Sequence, residues 1–398
     1  MHTFSANSPC RLATIMTAVM FASSATTLMT NSAHAATQEP DTVRSTVETT
    51  ISPVMKQYGI PGMAIGIVDG DKEYFFDFGV SSRESGKPVN RSTLFELGSI
   101  SKTFTATLAS YGQEKGQLKL SDPVSRYLPE MKGPAFGEVK LLHLGTHTPG
   151  GFPLQVPDDI RNTQELMTYL QHWKPQFSMG TQRTYSNPSI GMLGFITAKA
   201  MGQEFTPLIQ TQLFSGLGLQ DTYIDVPSAK MKDYAQGYTK QDKPTRVNKA
   251  VLWAEAYGVK STSRDMLRFL QSNMQMGKID DKLQRAVINT HQGYFQTSAF
   301  TQDLIWEQYP YPVPVESLLK GNSSAFALSP QAVTPVHPPQ PPQNKVWINK
   351  TGSTNGFGAY VAFVPDRKLG IVILANKNYP NEDRIRIAHK ILSHLQVR

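Results

Sequence analysis

Thiol chemistry is nearly absent from this 398-residue chain, which has a single cysteine, Cys10. Cys10 lies in a leader-like N-terminal segment. A processed chain is therefore expected to carry no disulfide and no Cys-ligated metal, and to owe its stability to its core. Long apolar runs are missing too. The best candidate, Leu12–Met29, is diluted by Ser and Thr and makes a poor membrane span. Charge of one sign does not dominate: 39 Lys and Arg face 31 Asp and Glu, interspersed along the chain. A nucleic-acid binder would cluster its basic residues. No internal repeat or long like-charge run stands out. Hydrophobic residues make up 39% and charged residues 18%, an ordinary globular balance that predicts a packed core.

The first 35 residues read as a secretory signal. Arg11 is their only charged side chain, the apolar run follows it, and Ala33-His34-Ala35 supplies a small-x-small cleavage site. Cys10 precedes the apolar run, so no lipid anchor is expected there. Cleavage after Ala35 leaves 363 residues with a formal charge of +7. Residues 36–398 are expected to form one catalytic domain, located in the periplasm without a membrane anchor.

Met63–Val68 and Glu73–Phe78 flank Asp-Gly, a strong hairpin signal, and read as strands. Thr42–Tyr58, Ser99–Gln113, Ser189–Met201, Arg264–Met276 and Glu382–Leu395 have helical spacing. The stretch from about 120 to 325 reads as loops and helices. Strand patterns return at Val346–Asn349, Gly358–Val364 and Gly370–Leu374. Pro335–Pro342 reads as a stiff polyproline connector. The expected fold class is α+β. Strands from both chain ends form one antiparallel sheet flanked by helices, with a mostly helical subdomain inserted, and a cleft between the two parts.

Ser99-Ile100-Ser101-Lys102 places a nucleophile and a base three residues apart at a helix start, on one face. The positive end of the helix dipole there favours a developing oxyanion. Alone this motif is weak, since about one or two are expected by chance in a chain of this size. Ser317-Leu318-Leu319-Lys320 is a second occurrence and reads as a decoy. Two further motifs follow in order, Tyr185-Ser186-Asn187 and Lys350-Thr351-Gly352 with Ser353 after it. Ser-x-x-Lys, Ser-Asp-Asn and Lys-Thr-Gly together mark penicillin-recognising enzymes; here the middle motif is Tyr-Ser-Asn instead, and a rival Tyr379-Pro380-Asn381 falls after Lys350, out of order. His143 and His147 are four apart but lack a third ligand, so structural roles are expected. Gly352, Gly356 and Gly358 do not make a phosphate loop and suit a strand that substrate approaches closely.

On these motifs the chain resembles class C (AmpC-type) serine β-lactamases over essentially its whole mature length. LFELGSISKTF at Leu94–Phe104, Pro153–Pro157, AEAYGVKS at Ala254–Ser261, KTGSTNGFGAYVAFVP at Lys350–Pro365 and LANKNYPN at Leu374–Asn381 carry the likeness. The resemblance implies the β-lactamase and transpeptidase-like fold. It also implies hydrolysis of β-lactams, mainly cephalosporins, and antibiotic resistance, with no cofactor and no metal. Ser99 would be acylated. Backbone N–H groups of Ser99 and Ser353 would form the oxyanion hole. Lys102 and Tyr185 would share the general-base work, with Lys350 nearby, and which of the two is the base stays open. Gln155 and Asn187 would hold the substrate's acylamino group. Thr351, Asn381 and Arg384 would face its carboxylate, Arg384 directly or indirectly, and Tyr257 would line the cleft. Asn355 and the irregular stretch Thr239–Asn248 depart from the family pattern and bear on specificity. Nothing demands an oligomer, so a monomer is expected. A penicillin-binding DD-peptidase, an esterase of the same superfamily, or a non-catalytic peptidoglycan or penicillin sensor are the competing readings.

Overall fold

A computed structural model describes residues 32–396. Of the expected signal segment, residues 1–35, residues 1–31 lie outside the described residues. The chain divides into a short N-terminal unit ending at Val43 and a unit from Arg44 onward. Helix α1, Ser32–Tyr58, runs through that boundary.

Nine strands among the described residues form one antiparallel sheet. They are β1 Gly62–Asp69, β2 Lys72–Gly79, β3 Gly293–Gln296, β4 Thr301–Gln302, β5 Glu307–Pro310, β6 Thr334–Gln340, β7 Val346–Ser353, β8 Gly358–Val364 and β9 Leu369–Ala375. Their order across the sheet is β6-β3-β4-β5-β7-β8-β9-β1-β2. The two chain ends meet as expected: β1 pairs with β9, with Met63 opposite Ala375. The β1–β2 hairpin closes on Gly70-Asp71, and Gly70 takes the left-handed φ of 57° that a tight turn needs.

Strands β8 and β9 are buried along their whole length. Such unbroken apolar runs suit a sheet covered on both faces. Helix α4, Ser263–Asn273, packs on β1 and β9, and α5, Asn381–Gln396, packs on β8 and β9. Helix α2, Ser101–Glu114, is buried almost all round. Phe104 and Leu108 join the core shared with the sheet, while Ala106 and Ala109 join a second core within the helical part. The helix that follows Ser99 thus stands at the seam between the two parts.

Two expectations need correction. Pro335–Pro342 is not a free polyproline connector: Thr334–Gln340 is the edge strand β6, paired with β3 through a register shift. An outer edge accepts residues that cannot donate to a ladder, which is why prolines are tolerated there. The stretch from about 120 to 325, read as loops and helices, also carries β3, β4 and β5, which complete the sheet. Strands of two to four residues are too short for alternation to be read from sequence.

Candidate active site

Two glycines bring the walls of the site into contact. Gly98 has a φ of 52°, and a Cβ there would lie 2.5 Å from the Ser353 backbone N and O. A Cβ on Gly352 would lie 2.0 Å from the Leu97 carbonyl oxygen. Only bare backbone permits this approach. It sets the segment before Ser99 against the end of β7, and Ser353 with it.

Ser99 occupies a single 3₁₀ turn, Gly98–Ile100, which leads directly into α2. Lys102, three residues on, donates from Nζ to Ser99 Oγ at 2.9 Å and to the Ala256 carbonyl at 2.9 Å. The Lys102 side chain is fully buried. Tyr185 precedes helix α3, Asn187–Ala200, whose N-cap is Ser186. Its hydroxyl is bonded to Ser99. Lys102 Nζ lies 5.3 Å, Lys350 Nζ 5.2 Å and Arg183 Cζ 5.5 Å from the centre of the Tyr185 ring.

This ring of cations sets the titration of the site. Burial works against ionising Tyr185, but the ammonium groups of Lys102 and Lys350 and the Ser99 hydroxyl outweigh it and bring the phenol down to about 8. Burial also lowers the Lys102 ammonium to about 8, against the pull of the Tyr185 oxygen and with the help of Lys350. The two groups therefore titrate as a coupled pair.

A cavity of about 640 Å³ opens over Ser99, Tyr185 and Lys350. Gln155, Asn187, Tyr257, Thr351, Gly352, Ser353 and Asn381 all line it. Asn187 Nδ2 donates to Gln155 Oε1 at 2.8 Å, joining the two expected amide contacts. Lys102 lies behind Ser99, outside the cavity wall. Arg384 is also outside it, fully buried beneath β7. Its guanidinium donates to Gly352 O at 2.8 Å, to Ser353 Oγ at 2.9 Å and to Asn378 Oδ1 at 2.7 Å. Arg384 thus meets the cavity wall through Gly352, Ser353 and Asn378. The decoy Ser317 and Lys320 lie on the short helix Val315–Gly321, with Lys320 Nζ bonded to Ser298 O.

Sequence reading missed Glu307, Arg183 and the placement of His147. Glu307 lines the cavity from β5, and the buried Arg183 donates to it at 3.3 Å and to Gln302 Oε1 at 2.6 Å. Only the sheet register, which sets Glu307 opposite Asn349, brings it to the cavity that Lys350 also lines. The buried His147 ring lies 4.5 Å from that of Tyr185, and its Nδ1 accepts from Ser186 N at 3.3 Å. His143 instead meets Thr148 Oγ1 at 2.7 Å, so the two histidines are not paired on a common point. Among the described residues no group of three or more His, Cys, Asp or Glu could hold a metal ion.

The arrangement joins a buried lysine, a serine hydroxyl and a low-pKa phenol beneath an open cavity with paired backbone walls. A family model described as β-lactamase matches residues 47–396. This chain belongs to the β-lactamase family. A β-lactamase of Pseudomonas fluorescens is 48% identical over 351 residues, covering 88% of this chain and 98% of the relative. The crystal structure of a class C β-lactamase in complex with cefoxitin is 48% identical, with a TM-score of 0.88 over 89% of this chain and 99% of that one. A β-lactamase/D-alanine carboxypeptidase from Pseudomonas syringae is 50% identical, with a TM-score of 0.88 over 89% and 99% of the two chains. The protein is accordingly a class C serine β-lactamase, a hydrolase of β-lactam antibiotics that serves resistance to them. No helix of this β-lactamase among the described residues is long and apolar enough to cross a membrane.

Proposed function

We propose that this β-lactamase hydrolyses mainly cephalosporins, through an acyl-enzyme on Ser99. The observation that carries the proposal is the hydrogen-bond chain from Lys102 to Ser99 to Tyr185. Lys102 donates to the serine oxygen, which leaves the serine proton directed at the phenol oxygen. Tyr185 takes that proton as Ser99 Oγ attacks the lactam carbonyl, and the ring C–N bond breaks as the tetrahedral intermediate collapses. The same proton is available to the leaving nitrogen. Water then attacks the ester and passes its proton to the same pair, which returns it to Ser99 Oγ as the acyl–oxygen bond breaks. Lys102 and Lys350 supply the positive field that keeps the phenol acidic near neutral pH. The N–H groups of Ser99 and Ser353 receive the oxyanion, where one such donor is typically worth about 3–4 kcal/mol.

Lys350, Thr351 and Asn381 face the substrate carboxylate, and Arg384 acts on it indirectly by holding Ser353 and Asn378. Asn187 and Gln155 take the acylamino group, and Tyr257 forms the wall beside it. The cavity reaches from Gln155 to Leu328 and leaves room for substituents on both sides of the lactam, which favours the cephalosporin reading. Cefoxitin bound to a relative of 48% identity supports it. Residues 1–35 direct export to the periplasm, in keeping with the apolar run and the Ala33-His34-Ala35 site. Residues 36–398 form the mature catalytic chain.

A second reading is D-alanine carboxypeptidase activity, favoured by relatives of 50% and 54% identity that carry that description. A ring-opening time course with cephalosporin in large excess separates the two. Sustained turnover, abolished by Ser99→Ala in a folded protein, is expected. A burst of one equivalent followed by a stall would overturn hydrolysis as the main activity. Turnover in Ser99→Ala above a few per cent of wild type would overturn the assignment of the nucleophile.

A further inference from the structure

Three residues before Ser99, the side chain of Glu96 is buried, only 1% exposed. It lies in the two-residue strand Phe95–Glu96, which pairs with Lys260–Ser261, Glu96 opposite Lys260. The Lys260 ammonium does not bond to it; that group donates to Ile224 O and Gly258 O, both at 2.9 Å. The Glu96 carboxylate is instead met by three neutral donors. Oε1 accepts from Tyr234 OH at 2.5 Å and from Val247 N at 2.7 Å. Oε2 accepts from Thr354 Oγ1 at 2.6 Å. Short bonds to a buried carboxylate are strong, and stranding one in a buried setting is costly.

The three donors belong to separate parts of the cleft. Thr354 follows Ser353 directly. Val247 lines the cavity from the irregular stretch Thr239–Asn248. Tyr234 comes from the segment that runs beside Leu94, whose N–H donates to Asp233 O. Glu96 itself is joined through Leu97 and Gly98 to Ser99. The one carboxylate therefore links the nucleophile segment, the end of the oxyanion strand and the cleft loop. The bare backbone contact between Gly98 and Ser353 brings those segments together but has no side chain to hold them at a set separation.

We propose that Glu96 is a positioning residue that sets the Ser353 N–H relative to Ser99 by tying Thr354 and the Val247 loop to the nucleophile segment. The proposal rests on the reading of Ser99 as nucleophile and of the Ser353 N–H as oxyanion donor. Misplacing one catalytic group by about 1 Å can cost about 100-fold in rate, so loss of the tie is expected to slow acylation more than it weakens binding.

The test measures the acylation rate constant by rapid mixing with a cephalosporin, together with KM and thermal midpoint. The variants are Glu96→Ala, Glu96→Gln and Thr354→Val. Glu96→Ala and Thr354→Val are expected to slow acylation at least tenfold with KM changed less than threefold. Glu96→Gln is expected to stay within about threefold of wild type, because its carbonyl still accepts from Tyr234 and Val247 while its amide donates to the Thr354 hydroxyl. If folded Glu96→Ala and Thr354→Val acylate within threefold of wild type, whatever their thermal midpoints, the positioning role is overturned. Should Glu96→Ala fail to fold, Thr354→Val decides on the same criterion. Intact-mass analysis of quenched wild-type protein, with Ser99→Ala beside it, keeps the premise separate. Acyl adduct lost only in Ser99→Ala upholds Ser99 as nucleophile even when the Glu96 role fails.

Discussion

Replacing Lys350 by Met removes one cation from the Tyr185 ring while keeping most of the side-chain volume. The ammonium lies 5.2 Å from the ring centre. For charges about 5 Å apart at an effective dielectric of about 20, the interaction is about 3 kcal/mol, which corresponds to about two pKa units. Water entering the vacated space takes part of this back, so a shift of about one to two units is expected. The sign is the same for both members of the pair. Tyr185 loses a cation that favoured its phenolate, and Lys102 loses a like charge that disfavoured its ammonium. Both therefore hold their protons to higher pH. The acid limb of kcat/KM, which reports the free enzyme, moves upward, and activity at pH 7 falls by about 10- to 100-fold beyond any loss of carboxylate binding. The assay is kcat/KM for a cephalosporin from pH 5 to 10. A variant whose rate drops by the same factor at every pH, with the limb unmoved, would show that Lys350 acts on substrate alone and would refute the electrostatic argument.

Further expectations follow from the same geometry. Gly352→Ala puts a Cβ 2.0 Å from the Leu97 carbonyl and must push β7 away from the nucleophile segment; burst kinetics should show acylation slowed at least 100-fold, and near-normal acylation would mean that this contact is dispensable. Phe104 is fully buried, stacked on Phe269 at 4.2 Å and edge-on to Phe214 at 5.3 Å. Phe104→Ala should cost about 3–5 kcal/mol in denaturant unfolding, and a loss below 1 kcal/mol would show that the core closes over the gap.

The tuning of Tyr185 has a cost in burial that the surrounding charges offset. Lys102, Lys350 and Arg183 surround the ring, and Arg183 is itself buried against Glu307. A neutral His147 closes the remaining side: burial first, then Arg183, Lys102 and Lys350, hold its imidazole well below the usual histidine range. A protonated ring there would add a fourth cation to an already positive box.

Local signals were enough for the chemistry-bearing triplets. Ser99 and Lys102 are neighbours on one helical turn, Tyr185 and Asn187 are two apart, and Lys350 to Ser353 are contiguous, so each set is written within a few residues of chain. The inner strands β1, β8 and β9 were legible because burial on both faces makes them continuous apolar runs. Thr301–Gln302 was not, since two residues show no alternation, and nor was the Pro-bearing edge strand β6, whose pairing is decided by β3, far away in sequence. The same holds for Glu307, Arg183, Glu96 and the buried position of Arg384. A carboxylate or guanidinium looks alike in sequence whether it is solvated or enclosed, and its role depends on which distant groups burial forces it to meet. Residue types and spacing thus specify which groups can share one cleft, while long-range packing specifies the field around them and the separation at which they are held.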